Sequence, residues 1–334
     1  MELSVKNIDA INIALMAFSF LVARTFPFEL FLFSYIVLGP LHYMTEIAWL
    51  KERDFFISSK TWISIFILVS MLGVGYTLAV EFLGENQNLQ TLFASAYPLL
   101  LLGAFTVAAI TIQDKLPLWS SLLIISLALV LIFMARLEYL VFLLCLLIPT
   151  LIHTTIFTGN FILEGALKKK SNWGMISFFF FILCNVAFFL LPTNPKPLVN
   201  PFVQNLFLES NFYNINLNLN YLFYGTDGST FVLDSALGIR IQGFIAFAYT
   251  YHYLNWFSKT NVIKWHQIPK RWLFTSIFIW LASITIHLID IRLGITLITV
   301  LSVLHVYTEF PLNHRSFVNV GSMLWARVSG KAEG

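Results

Sequence analysis

Apolar residues occur along this chain in long runs that short polar segments interrupt. Runs such as "TWISIFILVSMLGVGYTLAVEFL" (61–83) and "LWSSLLIISLALVLIFMA" (118–135) have about the 20 apolar residues that an α-helix needs to cross a bilayer. We therefore predict about ten transmembrane helices, at 9–24, 28–50, 61–83, 93–113, 118–136, 138–164, 174–191, 236–257, 272–290 and 293–311.

Composition supports this pattern. Hydrophobic residues make up 58% of the 334 positions and charged residues only 11%. A soluble surface needs roughly a quarter to a third of charged residues, so a soluble domain is excluded. The predicted fold class is an all-α polytopic membrane protein, with one integral membrane domain over 1–334 and a cytoplasmic tail at 312–334. The first apolar run lacks a small-residue cleavage site, so we expect it to be retained as a span.

Basic residues indicate the orientation of these helices. If the N-terminus is cytoplasmic, most of the 20 Lys and Arg residues fall in cytoplasmic segments, and the exceptions are Arg24, Arg136, Lys196, Arg240 and Arg292. The positive-inside rule demands such a bias. We therefore expect both termini on the cytoplasmic side of a bacterial inner membrane.

The longest predicted external segment, 192–235, has a different pattern. Apolar and polar residues alternate in "NINLNLNYLFY", and the turn sequence "GTDG" follows. Alternation with period two beside a Gly/Asp turn is typical of a β-hairpin. We predict a small hairpin that caps the external mouth of the helices.

Two distant stretches, "LHYMTE" (41–46) and "LHVYTE" (304–309), are near copies. Each places a glutamate four residues after a histidine, so that His42 and Glu46 share one helix face, as do His305 and Glu309. Burying ionisable groups inside a bilayer costs free energy, so a functional role is the default interpretation of such groups. The repeat therefore marks a candidate site.

Two further histidines, His153 and His252, lie within predicted spans. The four histidine-bearing helices are predicted to run in the same direction, from outside to inside. A helical rise of about 1.5 Å per residue places His42, His252 and His305 at similar depths, and a bend at "FTGN" (157–160) would bring His153 level with them. Four imidazoles at one depth can converge on one centre.

Imidazole nitrogen together with carboxylate oxygen suits iron, manganese, zinc or copper, whereas calcium and magnesium prefer oxygen alone. The predicted metal ligands are His42, His153, His252 and His305. Glu46 and Glu309 are predicted either to complete the ligand shell or to orient it. Asn255, Tyr253 and Tyr307 are predicted to line the substrate side. Non-haem iron is the expected cofactor, with zinc and haem as alternatives.

Simpler interpretations exist for each residue taken alone. A single intramembrane histidine is commonly hydrogen-bonded between helices. A carboxylate at the inner interface, such as Glu164, is commonly solvated, and Glu46 lies near enough to the charged end of its helix to reach water. The repeated motif and the matched depths favour a shared centre over four unrelated side chains.

The element "GPLHY" (39–43) resembles the early Gly/Pro-His element of the Brp/Blh group, the bacterial membrane β-carotene dioxygenases. In that resemblance His153, His252 and His305 stand for the remaining ligands. It implies a non-haem iron held by four imidazoles and an elongated apolar substrate that O₂ cleaves. The glutamates Glu46 and Glu309 depart from a four-histidine site. They indicate either outer-shell groups or a different or dinuclear centre.

Three function classes follow. The first is a membrane metalloenzyme that oxidises a lipophilic substrate such as a carotenoid, an isoprenoid or an acyl lipid. The second is a proton-coupled transporter or flippase with a His/Glu relay, and the third is a haem protein for electron transfer. The sequence has no P-loop, dinucleotide fingerprint or H-E-x-x-H motif. It also lacks a basic, aromatic-interleaved surface, so no nucleic-acid partner is expected.

Overall fold

The computed structural model describes residues 5–52, 148–193, 200–225, 235–259 and 269–329, with isolated helical positions at 64, 67, 68, 71, 72 and 75. Within these ranges every regular element is a helix, which confirms the predicted all-helical class for this part of the chain. The elements are α1 (Val5–Thr25), α2 (Pro27–Phe33), π1 (Ser34–Leu38), α3 (Gly39–Glu52), π2 (Ile148–Phe157), α4 (Thr158–Lys168), α5 (Asn172–Leu190), α6 (Pro201–Glu209), α7 (Tyr213–Tyr224), α8 (Ala236–Ser258), α9 (Lys270–Ile289) and α10 (Ile291–Val328).

Within the described residues, four segments are long and apolar enough to cross a membrane. They are Lys6–Thr25, Pro27–Lys51, Asn172–Leu190 and Lys270–Ile289, and they match the predicted spans 9–24, 28–50, 174–191 and 272–290. The predicted spans 93–113 and 118–136 lie outside the described residues, and 61–83 falls within them only at scattered positions. Long apolar helices of this kind are those of a membrane protein.

Helix α8 is the centre of the described bundle. It contacts α1, α2, α3, α5, α7 and both π-helices, and it is buried without interruption from Ile241 to Tyr253. Gly243 permits this close packing, because a Cβ there would lie 3.0 Å from Cε1 of Phe188 and 3.2 Å from the carbonyl oxygen of Ala23. Other helices surround α8, and the side chain of His252 therefore lies inside the protein.

The predicted β-hairpin is wrong for the described part of 192–235, because residues 201–209 and 213–224 form helices α6 and α7. In α7 the buried residues Asn216, Leu219 and Asn220 follow helical spacing. Nδ2 of Asn216 donates to the carbonyl oxygen of Gly238 at 2.8 Å and to Oε1 of Gln242 at 3.2 Å. Asparagines such as Asn216, which is buried and hydrogen-bonded, made the segment alternate like a strand. Residues 226–234 lie outside the described ranges.

Two π-helical segments lie next to the histidines. π1 ends directly before α3, which begins with Gly39 and Pro40 and carries His42. π2 contains Pro149 and His153. Proline has no N–H to donate to the preceding turn, and π-turns occur frequently at functional sites. At the predicted bend, 157–160, π2 passes directly into α4 without a break in the helix.

Helix α10 has 38 residues and would be about 57 Å long at 1.5 Å per residue. Its start is capped by Asp290, whose Oδ1 accepts from the backbone N–H of Leu293 at 3.0 Å. Its described end at Val328 lies well beyond the predicted span 293–311, so residues 312–328, predicted as part of a tail, continue the helix. His305 and Glu309 therefore lie near the middle of one long helix.

A polar network fixes α10 to α4. Ser316 donates to Oε2 of Glu164 at 2.5 Å, and Nδ2 of Asn319 donates to Oε1 at 2.7 Å. Nζ of Lys168 lies 2.6 Å from the same Oε1. Asn160 donates to Oγ of Ser316 at 2.7 Å. Glu164 is thus bound between helices, which corrects the simple expectation of a solvated carboxylate.

Candidate metal centre

Four buried imidazoles form a closed ring. Nε2 of His252 lies 3.1 Å from Nε2 of His42, and Nε2 of His305 lies 3.1 Å from Nε2 of His153. Around the ring, the centroids of neighbouring imidazoles are 4.6 to 5.4 Å apart. The side chains come from α3, π2, α8 and α10, which are far apart in the sequence. The structure therefore brings together all four predicted ligands.

Glu46 lies on the inner side of this ring. Its Oε2 is 3.0 Å from Nε2 of His42, the same nitrogen that faces His252. Glu46 is only 2% exposed, and its Oε2 has no hydrogen-bond partner among the described residues. A buried carboxylate oxygen without a donor is costly. An ion within the ring would satisfy it.

Glu309 has a different environment. Its Oε2 lies 3.2 Å from Nδ1 of His153 and accepts from Nδ2 of Asn313 at 3.0 Å. The carboxyl group also lies close enough to that of Glu46 for the two to interact electrostatically. Two buried carboxyl groups close together repel each other unless a proton or a cation compensates. Their proximity therefore favours a positive charge at this point of the protein.

The outer nitrogen of His252 also has a partner. Its Nδ1 lies 2.8 Å from Oγ1 of Thr158, the first residue of α4. A hydroxyl or carboxylate in this position fixes the orientation and the tautomer of a metal-binding imidazole. Sequence reasoning missed Thr158. Its position within "FTGN" was noted only as a possible bend.

The threonines of the repeated motif do not face the centre. Oγ1 of Thr45 donates to the carbonyl oxygen of Leu41 at 2.8 Å and accepts from Nε1 of Trp256 at 3.1 Å. Oγ1 of Thr308 donates to the carbonyl oxygen of Leu304 at 2.9 Å. Both hydroxyls thus satisfy backbone groups of their own helices. The histidines and glutamates of the repeat, and not its threonines, therefore face the centre.

Two tyrosines cover one side of the ring. The hydroxyls of Tyr43 and Tyr253 are 2.8 Å apart. Tyr43 stacks on His305 with centroids 4.4 Å apart and planes at 24°, and Tyr253 lies 4.9 Å from His42. Gly39 leaves room for both hydroxyls, because a Cβ there would lie 3.1 Å from Oη of Tyr43 and 3.3 Å from Oη of Tyr253. Sequence reasoning identified Tyr253 and missed Tyr43, although Tyr43 follows His42 directly.

For the remaining predicted site residues, the described structure shows no hydrogen bond to the four histidines. Asn255 is buried on α8, three residues after His252, and its Oδ1 has no hydrogen-bond partner among the described residues. Tyr307 belongs to α10, but its side chain lies outside the described part of the structure. His287 is separate from the ring, because its Nδ1 donates to the carbonyl oxygen of Ser283 at 2.8 Å.

An apolar cavity of about 470 Å³ lies between π2, α4 and α5. Its lining includes Gly159, Phe181, Asn185 and Phe317. Phe157 separates it from the histidines, with its ring 5.9 Å from His153 and 5.8 Å from Phe317. Apolar cavities with a few polar groups are typical of small-molecule sites. This one has the size and lining for part of a lipophilic molecule.

The donor atoms form two groups that share His42. Those of His42, His153 and His252 lie within 4.8 Å of one another, as do those of His42, Glu46 and His305. With metal–nitrogen bonds of about 2.1 Å, opposite ligands of one ion lie about 4.2 Å apart and adjacent ones about 3.0 Å apart. Imidazole and carboxylate donors suit first-row transition metals. These buried groups can therefore hold a metal ion.

Comparison with known proteins adds no identification, since no protein-family model, no curated protein and no solved structure matches this chain. The resemblance to the Brp/Blh group rests on the quoted residues alone. Function must therefore be inferred from the geometry of the site.

Proposed function

We propose that this protein is an integral membrane oxygenase in which His42, His153, His252 and His305 hold one non-haem iron. The substrate is a lipophilic molecule such as a carotenoid, an isoprenoid or an acyl lipid. One observation carries the proposal: four buried imidazoles from four separated helical segments lie against one another, with their Nε2 atoms in two pairs 3.1 Å apart. Burying ionisable groups inside a membrane costs free energy, so such groups are expected to have a function.

The chain's own residues would hold and insulate the reactive centre. The imidazoles bind through Nε2, and Thr158 fixes the ring of His252 from its outer nitrogen. Stacking of Tyr43 on His305 restricts the rotation of that ring. The apolar cavity beside Phe157 would accommodate part of a hydrocarbon chain. Iron, when bound, supplies the activation of O₂.

A proton relay is the second candidate. It is favoured by the electrostatic coupling of Glu46 and Glu309, because these carboxyl groups lie beside His42 and His153 respectively. A transporter or flippase could use such a chain of ionisable groups. The haem alternative agrees less well with the geometry. Axial imidazoles occupy opposite faces of a flat macrocycle, whereas these Nε2 atoms converge side by side.

We also propose that about ten helices cross a bacterial inner membrane with both termini in the cytoplasm. The four long apolar helices and the distribution of basic residues support this arrangement. Membership of the Brp/Blh group is part of the same proposal, and "GPLHY" with the four histidines supports it.

Oxygen uptake tests the proposed activity. Detergent-purified protein loaded with Fe(II) should consume O₂ when supplied with carotenoid, isoprenoid or acyl-lipid extracts, and mass spectrometry should detect an oxygenated or cleaved product. The His252→Ala variant should show neither, because it lacks one ligand. Zinc-loaded protein is the control, since zinc has no redox chemistry. If the zinc form also gave a product, the proposed oxygenase activity would have to be replaced by a hydrolase activity. Iron-loaded protein that is inert towards all three extracts would contradict the proposal.

A further inference from the structure

We infer that the two near-identical motifs have different tasks: Glu46 is a fifth ligand of the metal, whereas Glu309 orients His153 from outside the ligand shell. This inference rests on the proposed metal centre and assigns a role to each carboxylate. In sequence the motifs "LHYMTE" and "LHVYTE" predict equal roles. In the structure their carboxylates contact different ring nitrogens.

The first step concerns Glu46, which pairs with the histidine of its own motif. Its Oε2 lies 3.0 Å from Nε2 of His42, and that Nε2 lies 3.1 Å from Nε2 of His252. The donor atoms of His42, Glu46 and His305 lie within 4.8 Å of one another, so one carboxylate oxygen and two imidazole nitrogens share the same space. Oε2 of Glu46 has no hydrogen-bond partner among the described residues. A metal ion accounts for both the convergence and the missing partner.

The second step concerns the spacing of the donor atoms. Around an ion with bonds of about 2.1 Å, adjacent ligands are about 3.4 Å apart at the tetrahedral angle and about 3.0 Å apart at 90°. The observed separations of 3.0 and 3.1 Å match the smaller angle. Such spacing favours five or six ligands over four. Four imidazoles and one carboxylate provide five.

The third step concerns Glu309, which pairs with the histidine of another segment. Its Oε2 contacts Nδ1 of His153 rather than His305, four residues before it. Nε2 of His153 faces the ring, so Nδ1 points away from the centre. Nδ2 of Asn313 donates a hydrogen bond to the same Oε2 at 3.0 Å. The contact is close but lacks hydrogen-bond geometry, so Glu309 acts on this ligand histidine through its negative charge, from the side of the nitrogen that faces away from the centre.

Helix packing explains why equal spacing leads to unequal roles. Helix α10 packs against π2 as well as against α3. This contact brings His153 to the face of α10 on which Glu309 lies. On α3 the corresponding face points into the ring, so Glu46 remains beside His42. Five protein donors would leave one position of an octahedral ion open, whereas four imidazoles alone would leave two.

Cobalt substitution distinguishes the two carboxylates. Co(II) would be titrated into metal-free wild-type protein and into the isosteric variants Glu46→Gln and Glu309→Gln, with its visible absorption and its dissociation constant as readouts. Glu46→Gln should strengthen the absorption bands, because Co(II) absorbs more strongly with fewer ligands. Glu309→Gln should keep the wild-type spectrum and weaken binding by about 10- to 100-fold, the usual effect of losing an outer-shell partner.

Glu164→Gln is the matched control. Glu164 is another carboxylate at a helix junction, bound by Ser316 and Asn319, and its substitution should change neither readout. A wild-type spectrum in Glu46→Gln, or the same spectral change in both motif variants, would overturn the division of roles while leaving the metal centre in place. Wild-type protein that binds no Co(II) would overturn the metal centre itself, and the division of roles with it.

Discussion

His153→Ala is expected to weaken metal binding by more than about 100-fold, beyond the 10- to 100-fold loss typical of an outer-shell partner. The ring of His153 has two tasks in the structure. Its Nε2 lies 3.1 Å from Nε2 of His305, and its Nδ1 lies 3.2 Å from Oε2 of Glu309. Alanine removes one ligand and leaves the Glu309 carboxylate without this partner. Metal content after purification and dialysis, followed by titration with Fe(II), measures the loss.

The control for this experiment is His287→Ala. His287 is 3% exposed, close to the 2% of His153, and its Nδ1 donates to the backbone of Ser283. Both variants therefore lose a buried imidazole from a helix, and a general packing defect would affect them alike. His287→Ala should retain the wild-type metal content. Equal losses in both variants would refute a specific role for His153.

Removal of the metal is expected to lower the thermal stability of the purified protein. Without an ion, the Nε2 atoms of the ring lie in two pairs 3.1 Å apart, and Oε2 of Glu46 lies 3.0 Å from Nε2 of His42 without a hydrogen bond. An ion that binds only the folded state stabilises it by about 2.7 kcal/mol when its free concentration is 100 times Kd. Chelator-treated protein in detergent should therefore unfold at a lower temperature, and added Fe(II) should restore the original midpoint.

His252→Ala serves as the internal reference for the stability measurement. This variant should unfold at the same temperature with and without Fe(II), because its ring is incomplete. Tryptophan fluorescence during heating reports the midpoint. Wild-type protein whose midpoint does not respond to chelation or to Fe(II) would argue against an ion in the ring.

The sequence alone predicts the helical class and the residues of the centre because both depend on strong local signals. Long apolar runs predict helices such as α5 and α9, and polar residues within those runs are expensive enough to indicate a site. The depths of His42, His252 and His305 follow from the helical rise. These signals can be read from the sequence without knowing which helices are in contact.

The features that the sequence did not predict depend on tertiary contacts. Asn216 made its segment resemble a strand, and only its bonds to Gly238 and Gln242 explain its position inside a helical bundle. The bond between Thr158 and His252 joins residues from distant segments. The partner of Glu309 is on π2, whereas helical spacing favoured His305. Neither the hydropathy nor the residue spacing indicates that π2 packs against α10.

X-ray absorption at the iron edge tests the central claim most directly, because it counts the imidazoles that bind one ion. Iron-loaded wild-type protein should contain one iron per chain, with a shell of about four imidazole nitrogens near 2.1 Å and one carboxylate oxygen. Protein that retains no iron, or iron with two or fewer imidazoles, would contradict the account.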